Sequence, residues 1–147
     1  MANKYPLPSY HFIVKIGDDE SENVAFSEVS GLKVETQSIS YREGSNKEYL
    51  EYKMPGHKKY EKIVLKRGTM ADNNLFYEWI NKNNLNTTER KDITISLLNE
   101  EHEAVVTWNV KNAFPVSVDF GSLNASEDKV LIESISLDHE GLTVTRK

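Results

Sequence analysis

The sequence predicts a mainly antiparallel β domain of seven to nine strands with one α-helix packed on it. Apolar and polar residues alternate along most of the 147 positions, which is the period of half-buried strands. Only the stretch around Leu75, Phe76, Trp79 and Ile80 repeats its apolar residues at helical spacing. Four short glycine-bearing segments punctuate the first half as turns or strand ends: 26–32, 41–44, 53–56 and 65–68.

Taken in order, Tyr10, Phe12, Val14 and Ile16 form one face of a first strand, with His11, Ile13 and Lys15 on the other. The acidic run from Gly17 to Asn23 reads as a solvated turn. Val24-Ala25-Phe26 resumes a strand, and Ser30-Gly31 breaks it before Leu32 and Val34 begin another. From Glu35 to Arg42 the residues suit a strand but supply little apolar face. Glu43 to Lys47 is a loop, Tyr49 to Met54 a further strand, and Met54-Pro55-Gly56 is expected to close it as a turn. Two polar strands around a short loop make a hairpin that cannot bury itself, since an isolated hairpin is marginal in water. It therefore either lies across the chain's own sheet or is completed by another chain.

Lys62 to Lys66 is a strand carrying Ile63, Val64 and Leu65. Asp72 is the expected cap of the helix, whose stripe of Leu75, Phe76, Trp79 and Ile80 spans roughly three turns. A polar loop from Asn81 to Thr88 ends it. Strands are expected at 93–97, 104–110 and 130–137, with a hairpin turn at 99–103. Ala113-Phe114-Pro115-Val116 should be irregular or an edge, because Pro115 cannot donate to a central ladder. No repeat, linker or low-complexity tract divides the chain, so one domain spanning 1–147 is expected.

Composition narrows the function. The formal net charge of -5 argues against nucleic-acid binding as the main role. There is no cysteine, hence no disulfide framework and no thiolate chemistry. The opening residues lack the basic and apolar regions of a secretory signal, and no apolar run is long enough to span a bilayer, so synthesis in the cytoplasm without a membrane anchor is expected.

No catalytic, cofactor-binding or metal-binding residues are assigned. His11, His57, His102 and His139 sit in strand or turn contexts, and no nucleophile elbow, phosphate loop or dinucleotide fingerprint is present. Asp138, His139 and Glu140 are adjacent on a strand end, where neighbouring side chains point to opposite faces and do not converge on one ion. The basic stretch of Lys58, Lys59, Lys62, Lys66 and Arg67 is expected to meet an acidic patch on a neighbouring subunit, such as the 18–22 loop, rather than nucleic acid.

The ordered set of segments resembles the tail tube family of T4-type contractile phages and extracellular contractile injection systems. The resemblance begins at Tyr5-Pro6 and Phe12 and runs through Phe26-Ser27-Glu28-Val29-Ser30-Gly31-Leu32 and Tyr41-Arg42-Glu43-Gly44. Lys53-Met54-Pro55-Gly56 with Lys59-Tyr60, then Ile63-Val64-Leu65-Lys66-Arg67-Gly68, Phe76 and Trp79 continue it. Arg90 to Ile93, Trp108 to Pro115 and Ile132 to Leu142 complete it over nearly the whole chain. The loop at Ser45-Asn46-Lys47-Glu48 carries no matching pattern.

That resemblance implies a β-barrel or sandwich with one flanking helix and an extended β-hairpin, a structural protein and not an enzyme. Copies would form hexameric rings stacked into a tube with a hydrophilic lumen, inside a contractile sheath and joined to baseplate and spike proteins. Cargo protein or DNA would pass through the lumen, whose wall an acidic chain could make anionic. The hairpin would reach onto neighbouring subunits, which selects Tyr41, Arg42, Glu43, Gly44, Tyr49, Tyr52, Lys53, Met54, Pro55 and Gly56 as the expected interface. A tube-initiating or capping paralogue is the variant reading within the family. A β-sandwich module binding carbohydrate or protein is the alternative outside it, and it leaves the ordered segments unexplained.

Overall fold

The structure, a computed structural model, describes residues 5–17, 25–42, 44, 51–71, 74–82 and 89–146. The strands are β1 (Phe12–Ile16), β2 (Glu28–Ser30), β3 (Val34–Tyr41), β4 (Tyr52–Tyr60), β5 (Ile63–Gly68), β6 (Lys91–Leu98), β7 (Ala104–Asp119), β8 (Ile132–Asp138) and β9 (Gly141–Arg146). Between β5 and β6 lies the helix α1 (Leu75–Asn81).

All pairings are antiparallel. β1, β6, β7 and β9 make one sheet, and β7, β8, β5 and β2 make the other. The 16-residue β7 belongs to both: its first half lies between β6 and β9, and from Phe114 onward it pairs with β8. A strand that switches sheets through bends and bulges makes the corner of a sandwich. Here the corner is Asn112, at a φ of 52°, followed by a register shift between Pro115 and Ser117.

The alternation read from the sequence becomes the two inner faces. Val14, Ile16, Ile93, Ile95, Val110 and Leu142 face Ile63, Leu65, Ile135 and Leu137 in one buried cluster. Phe76 and Trp79 close it from the helix, and the Trp79 indole donates to the Glu89 carbonyl at 2.9 Å. Each large apolar side chain so buried contributes about 1.5–3 kcal/mol. At the end of the β5/β8 ladder the inner row turns polar. Arg67, paired with Glu133, is buried, with Nε 2.6 Å from the carboxylate and the guanidinium 4.2 Å over the Phe76 ring.

Several expectations are corrected. Met54-Pro55-Gly56 is not a turn but lies inside β4; the ladder accepts Pro55 because β3 and β4 form a two-stranded sheet of their own. The segment 113–116 is not irregular. It continues β7, although Pro115 does sit where β7 has a partner on one side only. Ala25 and Phe26 precede the strand β2 and are not in it, and Leu32 lies before β3. The helix has seven residues, about two turns, and Asn74 occupies its N-cap position without a side-chain cap bond; Asp72 lies outside the described residues. Arg67 is buried against Glu133 and is unavailable to a neighbour. β9 is a strand beyond those expected: Gly141 begins it after the turn at 139–140.

Candidate functional site: the β3–β4 hairpin

β3 and β4 form the two-stranded sheet, and every residue of β3 is exposed. Its root is tied to the sandwich by Tyr60, which packs against the core and lies 5.5 Å from the His139 ring. His139 in turn donates its Nε2 proton to the Glu61 carbonyl at 3.1 Å, a structural contact. At the start of β3, Lys33 lies 2.5 Å from Glu35. The hydrogen bond and charge of this pair raise the Lys33 amine and lower the Glu35 carboxyl from their ordinary values.

Cross-strand partners share a face of a ladder. Ile39 pairs with Met54 and Tyr41 with Tyr52, so these four occupy one face of the outer half of the hairpin. Ser38 with Pro55 and Ser40 with Lys53 occupy the other. The apolar four are 50, 48, 52 and 56% exposed. A bulge separates this half from the root: Thr36 pairs with Lys58 and Ser38 with Pro55, so Gly56 and His57 stand opposite Gln37 alone. Gly56 lies under Ile39, where a Cβ would come within 3.0 Å of the Gln37 carbonyl and 3.1 Å of the Ile39 side chain. The glycine lets the strands and the Ile39 side chain close together at the bend.

The structure thus brings Tyr41, Tyr52 and Met54 together on one face. Lys53 and Pro55 lie on the opposite face, Gly56 at the bulge, and Arg42 and Gly44 just beyond β3. Glu43, Tyr49 and the 18–22 loop lie outside the described residues. Ile39 completes the apolar face. Sequence reasoning does not select it for the interface, although its two-residue spacing from Tyr41 is the signal that could have done so. Among the described residues no three His, Asp or Glu side chains gather as a metal site, and no helix is long and apolar enough to cross a membrane.

Residues 8–143 match the family model for the T4-like virus tail tube protein gp19. The chain belongs to this family of tail tube proteins. Among solved structures, a chain of the anti-feeding prophage (AFP) tube terminating cap is 40% identical, with a TM-score of 0.89 over 100% of this chain and 95% of that one. A chain of the sheath-tube complex of the extracellular contractile injection system PVC is 37% identical, with a TM-score of 0.88 over 98% and 94%. A chain of the PVC sheath/tube terminator is 38% identical, with a TM-score of 0.88 over 98% and 99%. Hcp1 from Flavobacterium johnsoniae, at 11% identity and a TM-score of 0.57, shares the fold alone. No curated protein matches the sequence.

Proposed function

We propose that this tail tube protein is the repeating inner subunit of a contractile injection particle, folded as one domain over 1–147 and structural rather than catalytic. Six copies close into a ring, rings stack into a tube, and protein or DNA cargo travels in the lumen inside a sheath and above a baseplate. The observation that carries this reading is the amphipathic hairpin, whose apolar face stays open within one chain. Covering four half-exposed side chains yields on the order of 1 kcal/mol each, a gain that the hairpin obtains only against a partner.

A second surface supports the hydrophilic lumen. The outer face of β1, β6, β7 and β9 carries two cross-strand rows, Lys15-Thr94-Asn109-Thr143 and Ile13-Ser96-Thr107-Thr145. This face, hydroxyl-rich and holding two lysines (Lys15 and Lys111) against Asp92, suits a wall that cargo slides past without adhering. The anionic character expected from the net charge would then lie elsewhere on the subunit.

The matches to the AFP tube terminating cap and the PVC sheath/tube terminator favour one variant, a subunit that ends the tube. Mass measurement by sedimentation velocity separates the readings. A tube subunit of 16.8 kDa is expected as a ring of six chains that grows into longer stacks with concentration. A terminating cap stops at the ring. A chain that stays monomeric at high concentration is neither.

A further inference from the structure

Between β7 and β8 runs a segment, 120–131, with no part in the hairpin or the core. It is well tied. Gly121 N–H donates to the Asp119 carboxylate at 2.9 Å, Asn124 accepts from the Ser126 backbone and hydroxyl, and Thr69 N–H donates to the Leu131 carbonyl at 2.9 Å. Gly121 is at a φ of 80°, and a Cβ there would sit 2.7 Å from the Ile132 carbonyl, so the chain doubles back on itself at that point. The segment borders an open cleft of ≈ 710 Å³ lined by its own residues and by Ile132 of β8.

Despite this order, three of its apolar side chains point outward: Leu123 is 87% exposed, Val130 76% and Phe120 49%. A fixed loop with projecting apolar groups is a prepared contact surface rather than a solvated connection. Its charge has a sign. Asp119, Glu127 and Asp128 stand against Lys129 alone over 119–132. β4 has the opposite sign, with no acidic residue between Tyr52 and Tyr60; of its lysines, Lys53 and Lys58 lie on the far face and Lys59, opposite Glu35, on the apolar one.

We infer that the 120–131 segment is the receptor for the β3–β4 hairpin of a second copy of this chain. Ile39, Tyr41, Tyr52 and Met54 cover Leu123 and Val130, and Lys59, the β4 lysine on that same face, meets the acidic flank. Both surfaces are exposed within one chain, so each needs a partner, and their apolar and charged parts match in kind. The contact joins two different patches. It is therefore heterologous, the type that closes a ring or extends a filament. The inference rests on the hairpin being a subunit interface and adds the surface that receives it.

The absence of cysteine gives a clean test. Met54→Cys and Leu123→Cys are introduced singly and together, and assembled protein is oxidised. A head-to-tail contact predicts a covalent ladder of dimers and higher multimers from the two-site chain. Each single variant has one thiol and cannot go beyond a dimer. Assembled tubes whose two-site chain stays at monomer mass would overturn the inference. Leu123→Asp supplies the second measurement: at so exposed a position the monomer should keep its circular dichroism and lose assembly. If Tyr52→Asp abolishes assembly and Leu123→Asp does not, the hairpin interface stands and this receptor falls. If the parent chain never assembles, both fall.

Discussion

At the scale of single residues, the Arg67–Glu133 pair shows how context decides what a charge does. In the sequence, Arg67 follows Lys66 and extends a basic stretch that reads as surface. In the fold the two separate by strand alternation. Lys66 stays on the outer face, half-buried, with its amine 3.4 Å from Glu28, while Arg67 turns inward between Phe76 and Glu133. Removing one member of such a pair leaves an uncompensated buried charge and costs about 3–5 kcal/mol, whereas replacing both with apolar groups of similar volume is often neutral or stabilising. Glu133→Gln is therefore expected to lower monomer stability in urea by about that much. The double change Arg67→Met with Glu133→Leu should recover most of it. Equal losses from the single and double variants would mean that the pair fixes the structure by packing alone. Gly31 is a second residue whose identity the backbone dictates. At a φ of 89°, a Cβ would collide with the Lys62 carbonyl at 2.0 Å, so only glycine lets the chain leave β2 beside the start of β5.

At the scale of elements, legibility follows burial. Strands with one face on the core, such as β1, β6 and β8, announce themselves by alternation, and their expected positions agree with the fold within a few residues. β9 is not legible because Gly141-Leu142-Thr143-Val144-Thr145 follows a turn and buries only Leu142, leaving Val144 exposed on the same side. The hairpin is recognisable in the sequence, but its apolar face is not. Pro55-Gly56 is a strong turn signal, and it sits inside a strand because the sheet has only two strands, which spares Pro55 a second partner, and because Gly56 falls at the bulge opposite Gln37. With β4 cut short at Met54, the pairing of Ile39 with Met54 and Tyr41 with Tyr52 cannot be read. That pairing gives the prediction for this element. Tyr52→Asp puts a charge in the centre of the apolar face, and Arg42→Glu reverses a charge just beyond β3. Both positions are exposed, so each variant is expected to keep the monomer's denaturation midpoint while abolishing ring stacking in sedimentation. Normal stacks from both would remove the hairpin from the interface.

For the whole molecule, the architecture assigns its surfaces unequal work. One long strand, β7, ties two sheets around a common core, and that core is complete within the chain. What is left over lies outside it, among the described residues: an amphipathic hairpin, an ordered loop with outward apolar groups, and the sheet edges at β1, β9 and β2, which can template pairing. A lone soluble domain has reason to suppress such features, and an assembling one has reason to keep them. The sequence reveals the family through an ordered set of glycine-bearing segments, yet it cannot show which surfaces are left over, because that depends on how the strands pair.

Negative-stain microscopy of the concentrated parent chain beside Tyr52→Asp tests most directly whether the function of this chain lies in its assembly. Stacked rings or hollow tubes are expected from the parent, and folded protein without stacks from the variant. Dispersed monomers from both, with no assembly on a sheath or baseplate, would contradict that claim.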